Sequence, residues 1–213
     1  MKILAISDQV EDALYKPSIV DRFSDIDLVI SCGDLPYSYL EYIVTVLNKP
    51  MYYVHGNHDL TLEYTESGAQ RLIPAGVESL NSRTTIGPQG MLLAGLEGSI
   101  RYDPRSAFQF TQSEMNLKAW RLSLRLIRNQ LRYGRYLDVL VTHSPPFGVG
   151  DGPDYAHIGF KAFNRLIKRY RPKLLLHGHQ HTYLGLKPGT LVEATNVFNV
   201  FPYRVIEWEY GDE

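Results

Sequence analysis

The sequence predicts an α/β (α+β) protein in which mixed β-sheets are flanked by helices. Short apolar runs without clean alternation recur along the chain, which is typical of strands covered on both faces. Helical stretches fall between these runs, and the last quarter becomes rich in strands. No change in composition marks a linker, so the 213 residues, 44% hydrophobic and 21% charged, are interpreted as one domain, residues 1–213.

The strand and helix boundaries follow from apolar runs, breakers and caps. Strands are predicted over 3–6, 28–31, 51–54, 91–94, 139–142, 173–176, 183–187, 190–194 and 203–210, with a hairpin turn over 187–190. Helices are predicted over 39–47, 113–131 and 159–170. The second helix begins after Thr111 or Ser113 as its N-cap, and Pro172 ends the third. The apolar positions of the second helix at helical spacing are Trp120, Leu124, Ile127 and Leu131.

The bulk properties exclude several classes of protein. A net charge of −1 argues against a dedicated duplex-DNA binder, which usually has a large basic excess. The single cysteine, Cys32, permits no internal disulfide and favours a reducing cytoplasm. The first residues are interpreted as a strand and not as a signal peptide. No stretch approaches the roughly 20 apolar residues of a membrane span.

Polar side chains follow five of the predicted strands where each strand ends. If these strands are parallel, their carboxyl ends converge on one edge, where open α/β sheets bind ligands. Asp and Asn offer oxygen and neutral His offers nitrogen, a mixture that suits Mn²⁺, Fe, Zn²⁺ or Co²⁺ better than Ca²⁺ or Mg²⁺. The candidate ligands are Asp8, Asp34, Asn57, His143, His179 and His181.

This set of ligands is too large for one tetrahedral metal ion with open positions. Two ions that share a bridging carboxylate would use all of them. A pair of ions about 3.5–4 Å apart is an established arrangement for phosphoryl chemistry, because it polarises phosphate oxygens and acidifies a bridging water into a nucleophile. The residues therefore indicate a binuclear, metal-dependent phosphoesterase.

The motifs resemble those of the calcineurin-like metallophosphoesterase superfamily, which combines D-x-H, G-D, G-N-H-D/E, a lone His after a strand and G-H-x-H. The matching segments are Asp8, Gly33-Asp34, Gly56-Asn57-His58-Asp59, His143 and Gly178-His179-Gln180-His181. They span residues 8–181, most of the chain. The resemblance implies a four-layer αββα sandwich of two mixed β-sheets flanked by helices.

The resemblance also implies a role for each residue. Asp34 would bridge two divalent transition-metal ions, with manganese preferred and Fe, Zn, Ni or Co as alternatives. Asp8 and His181 would hold the first ion, and Asn57, His143 and His179 the second. His58 would contact the phosphate or act as general acid, although a further metal ligand is an alternative, and Asp59 would orient it through a carboxylate–imidazole hydrogen bond.

One position departs from the family pattern, because Val10 stands where D-x-H places a histidine. The first site thus loses a nitrogen ligand, which water or Glu11 would have to replace. One hypothesis is hydrolysis of a phosphomonoester or small phosphodiester by a metal-activated hydroxide. The alternative is a non-catalytic binding or scaffold protein with a degraded first site. Catalysis is preferred because the other ligands and His58 are present.

Several residues outside the motifs are further candidates. Arg101 and the loop 147–157 are candidates for substrate contacts, since arginine suits phosphate, and an exposed arginine and an ordinary loop are equal alternatives. His55 and His177 are expected to be core or supporting histidines. A basic stripe on the second helix is interpreted as a solvated face by default, yet together with Trp120 it leaves open a substrate at a membrane surface. The stripe comprises Arg121, Arg125, Arg128 and Arg132.

Overall fold

The computed structural model describes residues 1–64, 68, 70–181 and 188–208. The helices of these residues are α1 (Ile19–Arg22), α2 (Tyr37–Leu47), α3 (Gln112–Tyr133) and α4 (Lys161–Tyr170). The strands are β1 (Lys2–Ile6), β2 (Leu28–Ser31), β3 (Met51–Tyr53), β4 (Glu63–Tyr64), β5 (Gln70–Arg71), β6 (Glu78–Ser79), β7 (Thr84–Ile86), β8 (Leu92–Leu96), β9 (Ser99–Ile100), β10 (Gln109–Phe110), β11 (Val139–Thr142), β12 (Leu174–His177), β13 (Thr190–Val192), β14 (Thr195–Asn199) and β15 (Tyr203–Glu207).

Most of these strands form two mixed sheets. The first sheet has the order β15-β1-β2-β3-β6, in which β15 is antiparallel to β1 and the other neighbours are parallel. The second has the order β13-β14-β12-β11-β8-β7, with a parallel centre and an antiparallel strand at each edge. The condition set for the site-bearing strands, that they are parallel, is therefore met within each sheet.

The two sheets and the helices form four layers. Alternate residues of a strand point to opposite faces, so Ile3 packs between the sheets while its neighbour Leu4 packs under the helices. The inter-sheet core joins side chains such as Ile30 of the first sheet and Val141 of the second. Helices α1 and α2 cover the outer face of the first sheet, and α3 and α4 cover that of the second. The predicted fold class is confirmed.

The strand and helix predictions are correct to within a few residues where both sheet faces are buried. The predicted strand 183–187 and the first residue of the predicted turn lie outside the described residues. The predicted strand 190–194 is shorter, because β13 turns after Val192 into β14, a strand that sequence reasoning missed. The short strands β4, β5, β6, β7, β9 and β10 were also missed, since two or three residues show no periodicity.

Helix α3 has the predicted position, and the structure shows which of its faces is buried. Thr111 is its N-cap and forms a capping box with Glu114, which satisfies backbone N–H groups at the start of the helix. The apolar positions noted in the sequence point away from the core, with Trp120 60% and Leu131 85% exposed. A second stripe packs inward because burying the first would also take the flanking arginines out of water. The buried positions are Met115, Ala119, Leu122, Leu126 and Asn129.

In the part of the chain that the structure describes, no helix is long and apolar enough to cross a membrane.

Candidate metal centre

The carboxyl ends of β1, β2 and β11 bring three candidate ligands together. Asp8 follows β1, Asp34 follows β2 and His143 follows β11. One ligand atom from each of these side chains lies within 4.8 Å of the other two. Both aspartates have positive φ angles, 64° for Asp8 and 57° for Asp34, a conformation that costs free energy in non-glycine residues and is found at functional sites.

Two glycines allow the loops of this site to approach each other. A Cβ atom on Gly56 would overlap the Asp34 carboxylate, and one on Gly178 would overlap the Ser7 hydroxyl and the Asp8 carboxylate. Only glycine can occupy a backbone position that lies so close to a neighbouring side chain. The glycines of the G-N-H-D and G-H-x-H motifs are thus explained by the packing of the site itself.

The His143 ring is oriented as a metal ligand requires. Its Nδ1 donates a hydrogen bond to the Cys32 carbonyl at 2.8 Å, which points Nε2 into the site. There Nε2 lies 2.9 Å from Asn57 Oδ1 and 3.4 Å from Asp34 Oδ2. Neighbouring ligands of one octahedral ion with bonds near 2.1 Å are about 3 Å apart. The distances from His143 Nε2 to these two oxygens are therefore close to those between neighbouring ligands of one divalent ion.

The buried carboxylates of the site favour a positive charge beside them. Burial raises the pKa of Asp34, but the charge and hydrogen bonding of His143 outweigh it and hold this pKa at about 2. Burial lowers the pKa of His143, and the two aspartates outweigh it and raise this pKa to about 9. In the metal-free protein the imidazolium thus balances two nearly buried carboxylates. A divalent cation bound there would replace that proton.

His179 and His181 lie around Asp8. The backbone N–H of His179 donates to both Asp8 oxygens, at 2.9 and 3.1 Å, and its Nε2 donates to the Ala156 carbonyl at 2.9 Å. Burial lowers the pKa of His179 to about 3, so the ring is neutral, as ligation requires. His181 Nε2 lies 3.5 Å from Asp8 Oδ1.

The position of the missing family histidine is open to solvent. Val10 is 39% exposed. The Glu11 carboxylate accepts a hydrogen bond from Gln9 at 2.6 Å and is outside the cluster of Asp8, Asp34 and His143. Of the two replacements considered from the sequence, water is therefore the better fit to this structure.

Asp59 does not orient His58 in the way expected from the family pattern. Its oxygens accept hydrogen bonds from the backbone N–H groups of Gly56 (2.7 Å), Asp34 (3.2 Å) and Leu35 (3.2 Å). Three converging backbone donors fix the carboxylate more firmly than a single exposed imidazole would. Burial, together with the charge of Asp34, raises the pKa of Asp59 to about 7. Asp59 thus ties the loop after β2 to the loop after β3.

We expect Asp59→Ala to destabilise the protein by about 3 kcal/mol, because three backbone N–H groups lose their buried acceptor. Urea denaturation of the variant and the wild type measures this difference. The neighbouring His58→Ala serves as the matched control and should change stability by less than about 0.5 kcal/mol, since the His58 ring is exposed. If Asp59→Ala were as stable as the wild type but had lost turnover, Asp59 would instead act through His58.

The His58 ring stands at the entrance of the site, with its backbone N–H donating to Asp34 Oδ1 at 2.8 Å. Beside it lies Tyr102, which sequence reasoning missed in favour of its neighbour Arg101. The Tyr102 hydroxyl accepts a hydrogen bond from Asn57 Nδ2 at 2.9 Å and is 3.4 Å from His58 Nε2. Its only sequence signal was its place in a loop that follows an apolar run.

Arg101 points elsewhere in this structure. Its guanidinium donates to the Gln109 carbonyl at 3.2 and 3.1 Å and forms an ion pair with Glu114 at 2.9 Å. Contact of Arg101 with a phosphate therefore stays a prediction that requires these bonds to break. The loop 147–157 reaches the site through Ala156 and through His157, whose ring centre is 5.0 Å from that of His179.

His55 and His177 are buried supporting histidines, as expected. His55 Nε2 is 2.8 Å from the Tyr37 hydroxyl, and its ring stacks on Phe108 with centres 4.2 Å apart. His177 Nδ1 donates to the Gly178 carbonyl at 2.9 Å. Burial lowers the pKa of each ring to about 4, so both are neutral.

Comparison with known proteins agrees with this geometry. Residues 1–183 match the family model of the calcineurin-like phosphoesterases, and the chain belongs to this family. It is similar to TT1561 of Thermus thermophilus, with 17% identity and a TM-score of 0.63 over 93% of this chain and 88% of that one. It is also similar to a single mutant of Vps29 from Entamoeba histolytica, with 14% identity and a TM-score of 0.41 over 93% and 73%. The likeness to TT1561 shows the fold alone. No curated protein matches the sequence.

Proposed function

We propose that this protein hydrolyses a phosphomonoester or a small phosphodiester at a centre of two divalent metal ions. The observation that supports this most is the convergence of Asp8, Asp34 and His143, whose ligand atoms lie within 4.8 Å of one another. Membership of the calcineurin-like phosphoesterases supports metal-dependent hydrolysis of phosphoesters in general. The binuclear centre and the substrate class are the parts that we propose.

The ligands divide between two positions that share Asp34. Asp8 and His181 are proposed for the first, because His181 Nε2 lies 3.5 Å from Asp8 Oδ1. Asn57, His143 and His179 are proposed for the second, because His143 Nε2 faces Asn57 Oδ1 and its ring centre is 4.9 Å from that of His179. When bound, the ions supply Lewis acidity to the phosphate and lower the pKa of a water molecule.

His58 is proposed to protonate the leaving oxygen or to contact the phosphate. Its ring is exposed beside Asn57 and Tyr102, so an ester held by these side chains is within its reach. Two clefts, of about 370 and 360 Å³, are both lined by His58 and Asp59. These volumes suit a small ester, and two clefts would accept the two arms of a diester.

A scaffold without activity is the second candidate, and Val10 is the observation that favours it. Loss of the family histidine weakens the first position, where half-exposed His181 is the remaining proposed nitrogen ligand. The enzyme hypothesis is preferred because the second position keeps its donors and the His58 ring is exposed at the entrance.

We expect metal removal to abolish hydrolysis and Mn²⁺ to restore it, because the proposed donors are oxygen and imidazole nitrogen and a bound ion would lower the pKa of the attacking water. The protein is stripped by chelation and assayed with bis-p-nitrophenyl phosphate and p-nitrophenyl phosphate. In the control, the protein is treated with the chelator together with an equal amount of the metal ion. No turnover with Mn²⁺, Fe²⁺, Zn²⁺, Ni²⁺ or Co²⁺ on either ester would contradict the proposal and support the scaffold. The preferred ester identifies the substrate class.

The metal in the cell and the compartment are also proposals. Manganese is preferred on the chemistry of the ligands. A reducing cytoplasm is proposed from the lone Cys32, which is buried.

A further inference from the structure

Helix α3 presents a second apolar face to solvent. Five side chains, spaced alternately by three and four residues, form a stripe about 21 Å long on the side away from the sheet. Their exposed fractions range from 40% to 85%, whereas a helix that covers a sheet normally has polar residues on this side. We call this set the exposed stripe; it comprises Leu117, Trp120, Leu124, Ile127 and Leu131.

The exposed stripe is flanked on one side by arginines. Arg121, Arg125, Arg128 and Arg132 are all exposed, and none forms an ion pair with a carboxylate of the described residues. Three of them line a groove of about 260 Å³ against the edge strand β7. The groove offers space for an anionic group against these arginines.

Helix α4 extends the positive charge over a second helix. It lies beside α3, because the Gln112 side chain donates to the Gly159 carbonyl at 3.0 Å and accepts from the Lys161 backbone N–H at 3.1 Å. Its exposed basic residues include Lys161, Arg165 and Lys168. Together α3 and α4 contain nine of the chain's 22 Lys and Arg residues and one of its 23 acidic residues, Glu114, which is paired with Arg101.

We propose that this α3–α4 face, the exposed stripe with the exposed basic residues of both helices, docks on an anionic membrane surface. The tryptophan, leucine and isoleucine side chains enter the boundary between headgroups and acyl chains. The arginines and lysines contact anionic headgroups. This docking is independent of the hydrolysis proposed above.

Two other occupants fit the α3–α4 face less well. A second copy of the chain would bring four arginines against four arginines with almost no acidic residue to balance them. A single acidic helix would cover the exposed stripe, but the basic surface is two helices wide, and packed helices are 8–10 Å apart. A planar anionic surface matches both the width and the charge.

The test is co-sedimentation of the full chain with vesicles of phosphatidylcholine alone or with roughly 30% phosphatidylserine, at about 0.1 M salt. We expect binding to the anionic vesicles only. Leu124→Ser with Leu131→Ser should weaken it by about tenfold or more, because two exposed apolar side chains are lost without disturbing the core. Leu191→Ser, at a leucine that is 66% exposed on β13, is the matched control and should bind as the wild type does.

Tryptophan emission reports the depth of docking. The chain has two tryptophans, Trp120, which is 60% exposed, and Trp208, which is 4% exposed. Anionic vesicles should shift the emission to shorter wavelength as Trp120 leaves water, and Trp120→Phe should remove this shift. Equal binding to neutral vesicles, or wild-type binding by the double leucine variant, would overturn the proposal. A dimer in sedimentation velocity that only the leucine variant dissociates, without vesicle binding, would overturn it in favour of a second copy.

Discussion

Asp34→Asn is expected to lower kcat/KM for a phosphate ester by about 10³-fold or more, because the carboxylate proposed to bridge the two ions becomes a neutral amide. The substitution removes one of the two negative charges that the site offers to cations. It also replaces Asp34 Oδ1, which accepts the His58 backbone N–H at 2.8 Å, or Oδ2, which faces His143, with an NH₂ group. The measurement is steady-state turnover together with metal content by elemental analysis.

The matched control for this variant is Asp25→Asn, which removes a carboxylate from a surface ion pair with Lys2. It should retain full turnover and full metal content. Circular dichroism establishes that both variants are folded. If Asp34→Asn were folded and retained wild-type turnover and metal content, Asp34 would not bridge two ions.

His58→Ala is expected to lower kcat by about 10²- to 10⁴-fold while the metal content stays unchanged, since general acid catalysis contributes an effect of this size. The imidazole is exposed, and His58 contacts Asp34 through its backbone N–H, so loss of the ring leaves the proposed ligands in place. Turnover and metal content are measured on the same preparation. Retained turnover in the folded variant would contradict a catalytic role.

The leaving group tests the role of His58 more sharply. A general acid matters most when the leaving oxygen is basic, so an alkyl ester should lose far more activity than a p-nitrophenyl ester. Equal losses on the two esters would indicate that His58 contacts the phosphate instead. A fall in metal content would indicate that His58 is a ligand.

The residues of the candidate site that directly follow a strand could be predicted from the sequence. The apolar runs before Asp8, Asp34 and His143 show that these residues follow buried strands, and parallel strands bring their ends to one edge. The sequence could not predict what Asp59 contacts, because its three donors are backbone groups of two loops. Tyr102 was missed for the same reason, since its contacts with Asn57 and His58 exist only in the folded chain.

The buried face of α3 could not be predicted from the sequence for a different reason. Two apolar stripes with helical spacing lie on this helix, and either satisfies the pattern of a packing face. The arginines beside Trp120 and Leu124 decide between them, since the sheet cannot accept unpaired charges. Counting apolar positions alone therefore does not identify the buried face.

Crystals soaked in Mn²⁺ and measured for anomalous scattering test the proposed centre most directly. We expect two peaks about 3.5–4 Å apart, with Asp34 between them, Asp8 and His181 at one, and Asn57, His143 and His179 at the other. A single peak at His143 with none near Asp8 would contradict the binuclear centre. No peak at either position would contradict the metal-dependent mechanism.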